Sequence, residues 1–123
     1  MLEQIKTLIK EAGKIMMDRN MDIEQKGNAS NWVTSKDLQV EAFLKEGLQK
    51  ILPKSGFIGE EGEEKDFEGE YIWVIDPIDG TKAFIHGVPL FGTLIALYRK
   101  GTPLASLIRI PAMNTAVWAV KEG

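Results

Sequence analysis

The chain has 123 residues, 44% hydrophobic and 27% charged, enough apolar material for one core and enough charge to solvate its surface. Its net charge of −3 gives no basic footprint for nucleic acid, and the absence of cysteine excludes disulfides and thiolate metal sites. No apolar run approaches the ~20 residues that span a bilayer, and Glu3, Lys6, Lys10 and Glu11 interrupt the amino-terminal apolar positions a signal peptide needs, so the expectation is one cytoplasmic domain, with no membrane partner.

Leu2, Ile5, Ile9, Ala12, Ile15 and Met16 recur at helical spacing and predict a first helix to about Arg19. The stretch Lys26-Gly27-Asn28-Ala29-Ser30 is loop by composition. Val40, Phe43, Leu44, Leu48 and Ile51 form a second helical stripe, stopped by Pro53. Strands are expected near 57–59, 71–75, 91–99, 104–110 and 115–120, the last three separated by Lys100-Gly101 and by Pro111 to Asn114. Helices first and strands after point to an α+β fold, two amino-terminal helices packed on a mostly antiparallel sheet. Between 91 and 110 there is little polar alternation, so both faces of that sheet need cover. Two helices cover one face; the other is expected to meet a second chain or a further segment.

Three short segments carry chemistry. In Trp73-Val74-Ile75-Asp76-Pro77-Ile78-Asp79-Gly80-Thr81, an apolar strand runs into two carboxylates and a Gly-Thr helix start. Pro77 holds Asp76 extended at the strand's end, and Asp79 is expected at the N-cap before Gly80-Thr81-Lys82-Ala83-Phe84, where free amides favour an anion such as phosphate. Hard oxygen ligands beside an anion pocket suggest Mg²⁺. Asp-Pro and Asp-Gly are also ordinary turn dipeptides that need no chemistry. The second segment, Gly56-Phe57-Ile58-Gly59-Glu60-Glu61-Gly62, brings a short strand into paired glutamates, which could equally open a solvated acidic loop. The third, Asn31-Trp32-Val33-Thr34-Ser35-Lys36-Asp37, precedes the second helix, and Thr34 and Asp37 have the spacing of a capping box.

Taken in this order, Asp37, Gly59-Glu60-Glu61 and Asp76-Pro77-Ile78-Asp79-Gly80-Thr81 resemble the hallmark of the inositol monophosphatase family of Mg²⁺-dependent, lithium-sensitive phosphatases. The stretch from Asp79 to Leu97, with Lys82-Ala83-Phe84 and Gly92-Thr93-Leu94-Ile95-Ala96-Leu97, is most similar to the histidinol-phosphate phosphatase branch. Members are usually about twice this length, in keeping with two packed subdomains. The resemblance therefore implies that residues 1–123 are the amino-terminal metal- and phosphate-binding subdomain. The family's Trp-Asp-x-Ala-Ala-Gly-like segment, whose aspartate completes the metal site, has no counterpart here.

The resemblance also implies roles. Glu60, Asp76 and the Ile78 carbonyl would hold the main Mg²⁺, Asp76 and Asp79 a second ion, and Glu61 the attacking water or a third, weaker ion. Gly80 and Thr81 would hold phosphate oxygens, and Asp37 with Thr81 would polarise the water. His86, the only histidine, is read as a structural residue rather than a general base. Lys82 and Lys26 could contact an anionic substrate or simply solvate their segments. The implied function is hydrolysis of a small phosphorylated metabolite, histidinol phosphate ahead of inositol phosphate or a phosphonucleotide, incomplete without a separate carboxyl-terminal half or a homo-oligomeric partner. The alternative is a non-catalytic fragment that keeps metal and phosphate affinity.

Overall fold

Apolar residues at helical spacing build α1 (Leu2–Met17), which buries Ile5, Ile9, Ala12 and Met16. In this computed structural model, which describes residues 1–18, 23–25, 32–59 and 69–121, with backbone alone at 23–25, 32–34 and 81, α1 stops short of Arg19. Asp18 turns extended, with φ −80° and ψ 110°, and its N–H donates to the Ile15 carbonyl. The strands β1 (Ile23–Gln25) and β2 (Trp32–Thr34), which the sequence pattern does not indicate, pair antiparallel on either side of the expected loop from Lys26 to Ser30, and that loop lies outside the described residues. Three residues are too few for an alternating pattern to emerge. The helix α2 (Ser35–Ile51) follows β2 without a break.

The larger sheet contains β3 (Gly56–Gly59), β4 (Tyr71–Asp79), β5 (Gly92–Arg99), β6 (Thr102–Ile110) and β7 (Thr115–Val120), in that spatial order. β3 and β4 are parallel and every other neighbouring pair is antiparallel, so the sheet is mixed. A short helix, α3 (Thr81–Ile85), leaves the end of β4, and a 3-10 turn, Pro111–Met113, joins β6 to β7.

Pairing register sets which residues share a face. Ile75 stands opposite Ile95, which stands opposite Leu107, and this row packs under the helices with Trp73 and Leu97. Ile5, Ile9, Met16, Val40, Leu44 and Leu48 close the core from the helical side. On the other face Val74, Ala96, Leu94 and Tyr98 are only half-buried, while Ile108 and Val117 are exposed. Two helices cover one of the two faces for which the lack of polar alternation in β5 and β6 asks cover. Trp118 lies on the helical face at the sheet's far edge, where the Lys6 ammonium sits 3.5 Å from the ring centroid and covers it in part.

Two close fits tie the layers together. A Cβ at Gly47 would overlap the Leu8 side chain, so glycine lets α2 approach α1. The Trp73 indole N–H, fully buried, donates to Ser55 Oγ at 3.0 Å. Ser55→Ala leaves that donor without its acceptor and is expected to lower stability by about 1–3 kcal/mol. A shift in the urea midpoint at unchanged slope would report it, and an unchanged midpoint would show that the bond contributes nothing.

Candidate metal and phosphate site

The carboxyl end of β4 is built around a bulge. Asp76 pairs with Leu94 and Asp79 with Gly92, so two residues of β4, Pro77 and Ile78, face one residue of β5, Thr93. In a regular strand, residues three apart point to opposite faces. Here the extra residue resets the alternation, Pro77 and Ile78 are both buried, and Asp76 and Asp79 come out on the same face, away from the helices. Proline suits this position because it has no N–H to give to a ladder. Its carbonyl accepts a 2.8 Å bond from Thr93 Oγ1, a fully buried hydroxyl that thereby stabilises the bulge.

Beyond the bulge the chain turns sharply. Gly80 has φ +83°, and a side chain there would bring a Cβ within 2.8 Å of the Leu90 carbonyl oxygen. Glycine is needed on both counts. Gly80, not Asp79, is the N-cap of α3; Asp79 is the last residue of β4 and is exposed. The extended bulge carries the strand further than the sequence pattern indicates, moving the cap on by one residue. Phe84 anchors α3 in the core and meets Phe91 edge to face, with ring centroids 4.9 Å apart. Lys82 is exposed, and His86 is exposed at the helix's carboxyl end, where its backbone N–H, not its ring, bonds to the Lys82 carbonyl.

Asp37 lies in the first turn of α2 and is 1% exposed. Its helix starts directly after β2, and β2 packs against α3. Lys36, also buried, donates to Gln39 Oε1 at 3.3 Å and lies 3.7 Å from Asp18, tying the end of α1 to this turn. One functional candidate goes unnoticed in the sequence: Glu41, 4% exposed and one helical turn beyond Asp37. Its i+4 spacing from Asp37 is the only signal that could have found it.

Among the described residues, then, Asp37 lies in the first turn of α2, Ile78 falls inside β4 rather than in a turn beyond a strand ending at Ile75, Gly80 is the N-cap of α3, and Asp76 and Asp79 share a face. Glu60, Glu61 and Lys26 lie outside the described residues, and so does the Thr81 side chain. No group of three or more His, Cys, Asp or Glu side chains that could hold a metal ion occurs among the described residues. The donors at the bulge are carboxylate and carbonyl oxygens, of the type a hard divalent cation takes, and the chain continues from Gly59 straight into two more carboxylates. The donor types at the bulge therefore fit Mg²⁺ in kind. No helix among the described residues is long and apolar enough to cross a membrane.

The inositol monophosphatase family model matches residues 1–123. The chain is 36% identical to an inositol-1-monophosphatase of Rhizobium meliloti over 96% of its own length and 43% of the relative's. It is 37% identical to a histidinol-phosphatase of Chlorobaculum parvum over 87% of its own length and 42% of that protein. Its fold superposes on the crystal structure of the extragenic suppressor protein suhB of Bartonella henselae with a TM-score of 0.91 at 30% identity, covering 98% of this chain and 48% of that one. The chain thus spans less than half the length of these relatives.

Proposed function

Because this chain belongs to the inositol monophosphatase family, we propose that residues 1–123 supply the amino-terminal metal- and phosphate-binding part of a Mg²⁺-dependent phosphomonoesterase. The observation that carries this reading is the β4 bulge, which turns Asp76 and Asp79 to one face beside the start of α3. Asp76, Asp79, the Ile78 carbonyl and Glu60 would hold Mg²⁺. When bound, the cation would neutralise phosphate charge and make water a better nucleophile. The chain's own groups would do the rest: the amides of Gly80 and Thr81 hold phosphate oxygens, Asp37 together with the Thr81 hydroxyl polarises the attacking water, and Glu61 supports that water.

The favoured substrate is histidinol phosphate, on the likeness of Lys82-Ala83-Phe84 and Gly92 to Leu97 to that branch, with an inositol phosphate next. Similarity does not separate the two, since relatives of both kinds match at 36% and 37% identity. The half-buried and exposed apolar residues opposite the helices support a partner on that face, either the carboxyl-terminal half of the family's fold or a second copy. A module that binds metal and phosphate without turnover is the second reading.

Clustered carboxylates repel one another until a cation neutralises them. Calorimetric titration with Mn²⁺ should therefore detect a site that Asp76→Asn weakens by more than the ~10–100-fold lost on removing a mere supporting residue. Equal Mn²⁺ affinity in the parent chain and Asp76→Asn would overturn the ligand assignment.

A further inference from the structure

Gly59 has no turn to make, since it is an ordinary strand residue at the end of β3. The reason for glycine there is Glu41. A Cβ at position 59 would overlap the Glu41 carboxylate, standing 2.5 Å from its Cδ, and would come within 2.9 Å of the Phe57 ring. The carboxylate is thus pressed directly onto the strand backbone, and Glu41 as a whole is 4% exposed. Gly59 pairs with Ile75, the residue before Asp76, so the contact lies at the level of the sheet where β4 begins to deliver its carboxylates. On the other side of the contact, Glu41 is one helical turn from Asp37.

We propose that Glu41 is a positioning residue: its side chain, seated in the slot left by Gly59, sets the distance between α2, which carries Asp37, and the strand ends that carry Asp76 and lead to Glu60. The inference rests on the metal reading above and adds to it a residue that touches neither metal nor substrate. Its physical basis is close packing. Interiors transmit small displacements rather than absorb them, and a metal site loses affinity when its supporting residues let ligands shift. Glu41 could turn aside if it had room, but at 4% exposed it is enclosed, so shortening Glu41 lets α2 settle inward and enlarging Gly59 pushes it out.

The test measures Mn²⁺ affinity of the full 123-residue chain by electron paramagnetic resonance, well below each variant's separately measured unfolding midpoint. Glu41→Ala and Gly59→Ala should each weaken Mn²⁺ binding by about 10-fold or more. Glu41→Gln, which keeps the length and shape, should stay within about twofold of the parent, below the ~10-fold expected for a displaced support. The double variant Glu41→Ala with Gly59→Ala, in which the new methyl enters vacated space, should bind more tightly than Gly59→Ala alone. A purely structural role moves the unfolding midpoint and leaves affinity in the folded state unchanged. Parent binding that is lost in Asp76→Asn but unchanged in folded Glu41→Ala and in the double variant overturns the role of Glu41 alone. Absence of Mn²⁺ binding by the parent chain overturns the metal reading and the role of Glu41 with it.

Discussion

Residues 1–123 alone are expected to release phosphate from histidinol phosphate at least ~10³-fold more slowly than the same chain supplied with the carboxyl-terminal half of a close family member. In the proposed site Asp76 and Asp79 would hold a second ion together with an aspartate of that other half, and the ion would supply charge stabilisation. A missing ligand misplaces the cation and removes charge stabilisation where the transition state needs it, and effects of this kind multiply rather than add. Asp79→Ala in the 123-residue chain should abolish the gain from the added half. Phosphate release with Mg²⁺, assayed with and without the added half, decides the matter. Robust turnover by the purified chain, dependent on Asp76 and Asp79, would show that these residues build a complete site, and no gain from the added half would favour the non-catalytic reading.

The largest expected effect on stability comes from Trp73→Ala. Trp73 is fully buried on β4, between Phe57 on β3 and Leu97 on β5 in the pairing register, and its indole N–H is the partner of Ser55. Truncation should cost about 3–5 kcal/mol through lost burial and the cavity left behind. Small domains have only about 5–15 kcal/mol in total, so the variant should be partly unfolded in mild urea. Trp73→Phe keeps most of the ring without the N–H and should fall between parent and alanine. Denaturant unfolding followed by circular dichroism measures both, and a loss below about 1 kcal/mol for alanine would contradict the packing described for a core site.

The helices were legible because their signal is local. Ile5, Ile9, Ala12 and Met16 repeat at a spacing that only a helix turns into one buried face, and α1 ends within two residues of the expected Arg19. The segment from Asp76 to Thr81 was legible for a different reason: its chemistry lies in consecutive residues, so no long-range contact was needed to see it. The hairpin of β1 and β2 escaped notice because strands of three residues have no pattern to show, and their turn signals outweigh them.

By itself, the sequence determined that two amphipathic helices precede a run of apolar strands, and that carboxylates stand where β4 gives way to α3. Spacing and residue type suffice for both, since they are properties of neighbours along the chain. Only the tertiary structure decided that Asp76 and Asp79 share a face. Three residues of strand would have set them on opposite sides, and the bulge that reunites them depends on how β5 pairs with β4 and on the Thr93 bond to the Pro77 carbonyl. It also decided what Gly59 faces, because the Glu41 carboxylate beside it arrives from α2, 18 residues away in sequence, brought there by helix-on-sheet packing that no local pattern encodes.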